Sequence, residues 1–126
     1  MKTIKQKYLI KAPVEKVWQA LVDPGMIDDW GGGPAEMDDK NGSDFKLWGG
    51  DIHGKNLKVT QNKQLVQEWF GGDWEQPSKV TFTLSEKGPK TEIFLLHEDV
   101  PDNEVKSIED GWSKYYLGPL KQLLEL

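Results

Sequence analysis

The chain has 126 residues, enough for one domain (1–126) with a buried core of its own. Its formal charge of -5, with basic residues scattered along the sequence, lacks the electropositive patch that binding to nucleic acid requires. The absence of cysteine excludes disulfides, thiolate metal sites and cysteine nucleophiles.

The first stretch, MKTIKQKYLIKAP, alternates lysine with apolar residues instead of forming the apolar core of a signal peptide, and no later segment approaches membrane-spanning length. A cytoplasmic protein with no membrane partner is expected. Ile4, Gln6, Tyr8 and Ile10 share one side of this stretch and Lys5, Lys7 and Lys11 the other, which predicts a half-buried strand over residues 3–11. Val14, Val17, Trp18 and Leu21 then recur at helical spacing behind Pro13, which suits a first helical turn because no amide donor is needed there. The helix is expected to end at DPG, with Pro24 stopping it and Gly25 taking a left-handed turn.

Residues 31–41, GGGPAEMDDKN, have no apolar period and read as a loop. Beyond them Phe45 and Leu47, Leu57 and Val59, Leu65, Gln67 and Trp69, Val80, Phe82 and Leu84, and Ile93, Leu95 and His97 occupy alternate positions between turn-rich breaks. Breaks as short as QNKQ and SEKGPK favour antiparallel neighbours, since a parallel crossover needs a dozen or more residues. After Pro101 the period changes: Val105, Ile108, Trp112, Tyr115, Tyr116, Leu120, Leu123 and Leu124 form the stripe of a long helix, bent where Pro119 would clash with the Tyr115 carbonyl. The outline is α+β, with a curved antiparallel sheet covered by a C-terminal helix.

Three candidate sites are weighed against plainer readings. WGGDIHGKN places Gly49, Gly54 and Lys55 at phosphate-loop spacing, but Asn56 replaces the required hydroxyl residue and a strand follows instead of a helix. It reads as a hairpin connection whose glycines supply unusual backbone angles. Glu36, Asp38, Asp39 and Asp44 surround Asn41 and Gly42, yet the calcium-loop register would put Met37 first and Trp48 last, where carboxylates are needed, so a solvated acidic loop is expected and no metal site. His53 and His97 form no metal-ligand spacing with each other and no serine sits in a nucleophile elbow, so no catalytic residue is assigned. His97 shares a face with Ile93 and Leu95, where an imidazole could serve as acid, base or ligand anchor, or simply find a partner at a strand end. Of six tryptophans, Trp18, Trp69 and Trp112 fall on apolar stripes, whereas Trp30, Trp48 and Trp74 lie beside glycine-rich loops, where aromatics often line cavities or partner surfaces.

Several stretches carry a family likeness: APVEKVWQALVDPGMIDDW, LVQEWF, KVTFTLSEKGPKTEIFLLHEDVP and above all DGWSKYYLGPLKQLLE. Together they resemble the activators of heat shock protein 90 ATPase, specifically the C-terminal domain, a branch of the START-like helix-grip superfamily that includes the birch-pollen allergens. Gly111, Trp112, Tyr115, Tyr116, Leu120 and Lys121 stand in that family's Gly-Trp, Tyr-Tyr and Ile/Leu-Lys positions. The resemblance implies six or seven strands gripping the long helix, two short helices after strand one, and no cofactor. It further implies a co-chaperone-like, non-enzymatic domain with a heat shock protein 90-class partner. The alternative implied by the superfamily is a carrier or sensor of a hydrophobic or aromatic small molecule in the space between sheet and helix. Trp18, Trp30, Phe45, Trp69, Phe82, Leu95, Trp112 and Tyr116 are the candidate lining, with His97 and Tyr8 as polar anchors. An acid–base enzyme built on His97 lacks an identifiable partner group.

Overall fold

The computed structural model describes residues 1–72 and 74–126. In chain order it contains β1 (Lys2–Ile10), α1 (Val14–Val22), α2 (Pro24–Trp30), β2 (Asp44–Leu47), a 3-10 turn (Trp48–Gly50), β3 (Ile52–Thr60), β4 (Gln64–Gly71), β5 (Ser78–Lys87) and β6 (Lys90–Val100). A second 3-10 turn (Asp102–Glu104) leads into α3 (Val105–Gly111), a π-helical turn (Trp112–Tyr116) and α4 (Leu117–Leu124). The six strands form one antiparallel sheet in the order β1-β6-β5-β4-β3-β2. Strands β2 to β6 follow one another as a meander, while α1 and α2 carry the chain from β1 at one edge to β2 at the other.

Alternation places Ile4, Ile10, Phe45, Leu47, Leu65, Trp69, Val80, Phe82, Leu84, Ile93 and Leu95 on one face, all buried. Trp112, Tyr116, Leu117 and Leu120 from the C-terminal helix, with Val17, Trp18 and Leu21 of α1, complete that core. Removing this apolar surface from water is the main favourable contribution to the fold. The opposite face carries a row in which Glu98, Lys79, Glu68, Lys55 and Asp44 are successive cross-strand neighbours from β6 to β2. Alternating charge along one row supports this register over a one-residue slip, which would turn each side chain to the other face. Both sheet edges are occupied. Gln6 Nε2 donates to the Glu109 carbonyl and Lys121 Nζ to the Leu9 carbonyl, tying the C-terminal helix along β1, while β2 is only four residues long and Lys46 bridges to Glu36.

Four sequence expectations change. Pro24 starts α2 and Gly25 lies inside it; the left-handed residue is Gly31, at φ 104°, which caps α2. In β3 the inward positions are Gly54 and Asn56, and a register shift between Asn56 and Lys58 leaves Leu57 44% exposed. The cause is visible in the hydrogen bonds: Gly42 N–H donates to the Asn56 carbonyl, Asn56 N–H to the Ser43 carbonyl and Val59 N–H to Asn41 Oδ1, so the acidic loop fixes β3 in this phase. Of the three glycines in the loop only Gly49 and Gly50 have positive φ, as does Trp48 before them, the connection being a 3-10 turn. Gly54 serves a different need, since a Cβ there would fall on the Glu68 carbonyl oxygen of β4. Gly54→Ala is therefore expected to lower stability by about 2 kcal/mol, measured as a lower urea midpoint with unchanged m-value.

The closing helix is divided, not merely bent. Leu117 N–H donates to the Trp112 carbonyl, five residues back, so the chain widens into a π turn immediately before Gly118 and Pro119. A wider turn accommodates a proline that cannot donate to the preceding turn. Gly118 is required there because a Cβ would overlap the Ser113 carbonyl oxygen. The extra residue of the π turn sits in the segment that presents Trp112 and Tyr116 to the sheet.

Candidate functional site

Beneath the π turn runs a buried polar chain that spans four strands. Trp112 Nε1 donates to His97 Nδ1 at 3.1 Å, His97 Nε2 lies 2.8 Å from Ser78 Oγ, and Ser78 Oγ donates to the Trp69 carbonyl at 3.3 Å. On the other side of the same tryptophan, Trp69 Nε1 donates to Gln67 Oε1 at 2.7 Å and Gln67 Nε2 to Asn56 Oδ1 at 2.8 Å. Asn56 Nδ2 then reaches the Asp38 carbonyl and Ser43 Oγ in the acidic loop. Asn56, Gln67, Ser78 and His97 are all buried, and the network gives each a partner.

The donors fix the tautomer. Because Trp112 Nε1 can only donate, His97 Nδ1 must accept, which places the proton on Nε2 facing Ser78. Burial lowers the His97 pKa to about 4, so the imidazole is neutral at physiological pH. With both ring nitrogens engaged inside the protein, His97 positions Trp112 against the sheet. Neither nitrogen is free to exchange a proton with a bound molecule in this arrangement.

Around the network the aromatic side chains pack in one cluster. Ring centroids lie 4.8 Å apart for Trp69 and Trp112, 4.8 Å for Trp112 and Tyr116, 4.5 Å for Trp30 and Tyr116, and 5.6 Å for Phe82 and Tyr116. A cleft of about 370 Å³ opens at the outer side of this cluster. Its lining comes from the turn after β2 (Trp48, Asp51), the start of β3 (Ile52), β4 (Trp69) and the C-terminal helix (Ser107, Ile108, Gly111, Trp112, Tyr115, Tyr116).

Of the residues proposed from sequence as lining, the fold brings Trp69, Trp112 and Tyr116 to this cleft. Trp18, Phe45, Phe82, Leu95 and His97 lie in the packed interior, and Trp30 is buried with its Nε1 donating to the Ala20 carbonyl. Tyr8 is half-buried on β1 and donates to Gln6 Oε1; burial raises its phenol pKa and the Ser113 hydroxyl opposes that shift. The other seven cleft positions came from other signals or none, Ile108 and Tyr115 from the helical stripe and Gly111 from the family motif. Trp48 was placed by its glycine-rich surroundings and is held at φ 49° by a hydrogen bond from Nε1 to the Gly31 carbonyl. Asp51 and Ser107 carry no local sequence mark. In the network, Gln67 was legible as an inward position of β4, whereas Asn56 was hidden by the phase shift in β3. In the acidic loop, Lys55 pairs with Asp44 at 2.9 Å and Lys46 with Glu36 at 3.6 Å.

A six-stranded antiparallel sheet closed over by a segmented C-terminal helix, with two short helices inserted after the first strand, defines a helix-grip domain of START-like architecture. The chain belongs to the Activator of Hsp90 ATPase homolog 1-like family, whose model matches residues 11–125. It is 27% identical to an uncharacterized protein of Schizosaccharomyces pombe over 94% of this chain and 36% of that protein. To an activator of 90 kDa heat shock protein ATPase homolog of Dictyostelium discoideum it is 26% identical, over 95% of this chain and 32% of the relative. The chain thus spans about a third of the length of these curated relatives. An HSP90 activator from Plasmodium falciparum has the same fold, with a TM-score of 0.90 at 24% identity, covering 98% of this chain and 96% of that one.

Proposed function

We propose that the chain is a non-enzymatic, co-chaperone-like domain that binds a cytoplasmic chaperone of the heat shock protein 90 class and raises its ATP turnover. The observation that carries this reading is the family match over residues 11–125, which takes in the whole aromatic cluster and the π turn. Tyr115 supports it: the residue is 64% exposed beside the cleft, although it sits in the segment that otherwise buries its aromatics. A large exposed aromatic at the rim of an apolar depression suits a protein contact. The test adds the purified chain to the purified chaperone from the same organism and measures ATP hydrolysis. Turnover should rise saturably, and Tyr115→Ala should weaken the effect at least about tenfold while leaving the urea midpoint unchanged. Unaltered turnover together with no detectable association would refute the reading.

A second reading, carriage or sensing of an aromatic small molecule, is supported by the cleft itself. Its volume of about 370 Å³ falls within the usual range for ligand sites, and five of its ten lining residues are aromatic.

A further inference from the structure

The sheet buries one face beneath the helices, and on its other face no outward-pointing strand residue is buried. An antiparallel sheet commonly leaves one face in water, and that face is then polar. This one is apolar in part. Apart from Met1 and Leu126, the large apolar side chains exposed among the described residues are those of Leu9, Leu57, Phe94 and Tyr115, and the first three lie here, each 44% exposed. Phe94 and Leu96 are successive outward residues of β6, with Leu9 of β1 diagonally beside Phe94, so the apolar surface is continuous at that side. The charge of the face also opposes that of the chain. In the row described above, Lys79 and Lys55 alternate with Glu98, Glu68 and Asp44, whereas elsewhere on the face Lys5, Lys7, Lys46, Lys58, Lys87 and Lys90 are accompanied only by Glu92. Eight lysines against four carboxylates make the face positive in a chain whose net charge is -5.

The arrangement of these residues sets the shape of an occupant. Lys5, Leu96, Thr81, Val66 and Lys58 are successive cross-strand neighbours from β1 to β3, a row without charge between two lysines. Four strand intervals separate its ends, about 19 Å at the usual spacing of strands. A helix of about 13 residues covers that distance, and an apolar helical stripe is the ordinary cover for an apolar sheet surface. We propose that the outer face of the sheet is a docking surface for an acidic amphipathic helix of a protein partner, its apolar stripe on Leu96 and Phe94 and its carboxylates paired with Lys5 and Lys58. Charge complementarity of this kind steers the encounter and fixes register more than it adds raw affinity. A continuous anionic surface such as a bilayer fits less well, because Glu68, Glu92 and Glu98 would have to face it, whereas a helix with discrete charges meets the lysines and avoids the carboxylates. The surface lies on the side of the sheet away from the cleft and Tyr115, so it stands independently of both readings above.

The experiment titrates the full chain with three synthetic peptides of about 14 residues: one with a leucine stripe at helical spacing flanked by glutamates, one with lysine in place of glutamate, and a scrambled glutamate peptide without the stripe. Binding is followed by backbone amide shifts and fluorescence anisotropy. The striped glutamate peptide should bind saturably, with shifts centred on Phe94, Leu96, Thr81 and Val66, and at least about tenfold more tightly than either control. Its affinity should fall as salt is raised. Phe94→Thr, which keeps a strand-favouring residue at an exposed position, should weaken it at least about fivefold. Lys5→Glu combined with Lys58→Glu should weaken it at least about tenfold and flatten the salt dependence. Equal binding of the lysine peptide or of the scrambled one overturns the proposal, as do shifts centred on the cleft or no binding at all. Tighter association with phosphatidylglycerol vesicles than with the peptide overturns it in favour of a membrane surface. Self-association of the chain that Phe94→Thr abolishes overturns it in favour of a second copy. None of these results bears on the chaperone reading, which is decided by ATP turnover.

Discussion

Trp112→Ala is expected to destabilise the protein by about 4 kcal/mol, the range for truncating a buried tryptophan. The ring is 2% exposed and touches Trp69, Phe82, His97 and Tyr116, with centroids 4.8 to 5.7 Å away, so its loss opens a cavity at the junction of sheet and helix. It also leaves His97 Nδ1 without the Trp112 donor. Trp112→Phe separates the two effects: most of the packing stays, only the hydrogen bond goes, and a loss of about 1 to 2 kcal/mol should remain. Urea unfolding of the two variants beside the parent checks the pair of values. Alanine and phenylalanine variants of equal stability would show that the hydrogen bond, not the packing, holds the π turn. An alanine variant as stable as the parent would mean that Trp112 does not sit in this core at all.

The same residue shows how far the sequence carries. Trp112 and Tyr116 lie at helical spacing on one stripe and are buried as expected, whereas Tyr115, placed on the same stripe, is 64% exposed. What the stripe could not reveal was the π turn. Pro119 forbids the normal hydrogen bond, but the chain can respond by kinking, by ending the helix, or by inserting a residue, and local sequence does not choose among these. Here Gly118 permits the Ser113 carbonyl to come close, and the insertion results. The strands were legible for a similar reason: alternation is enforced by one buried face, so Leu65, Trp69, Val80, Phe82, Ile93 and Leu95 announced their orientation. β3 was the exception because its alternation is broken by the register shift after Asn56, and that shift is imposed by the loop at 41–43, distant in sequence.

The cleft was the least legible feature. A list of apolar positions states what is buried, but the space left between buried side chains depends on how closely rings stack, which is a matter of tenths of an ångström summed across the core. Phe82 and Leu95 proved to be packed against neighbours, whereas Trp69, Trp112 and Tyr116 meet the cleft at the margin where β4 faces the helix. Asp51 and Ser107 reach it only because the turn after β2 and the first turn of α3 lie on either side of that margin. The polar network beneath bears on function through rigidity. By fixing Trp69 from Gln67 and Trp112 from His97, it holds the cleft floor in one arrangement, so that a contact made by a partner or ligand does not have to order these rings.

Acidification should expose that network through His97. In the unfolded chain the imidazole titrates near 6.5, and in the fold burial lowers it to about 4. Between these values the unfolded state binds more protons than the native state, so stability rises with pH across this window. His97 therefore exerts its full stabilising effect above pH 6.5, and that contribution is lost progressively as pH falls to 4, a difference of about 3 kcal/mol. The geometry agrees in sign: a proton added to Nδ1 would face the Trp112 indole N–H, which has nothing to accept it. Carboxylates such as Asp102 and Glu125, whose pKa values are lowered by hydrogen bonds to the N-terminus and to Lys121 respectively, also weaken the fold in acid, so the His97 effect must be read as a difference. His97→Gln, which does not titrate but can still accept from Trp112 or donate to Ser78, provides that reference. At pH 7 the variant should be less stable than the parent by about 1 to 2 kcal/mol, and by pH 4 the order should reverse. Parallel stability curves for the two proteins from pH 7 to pH 4 would mean that His97 is not held neutral inside the sheet.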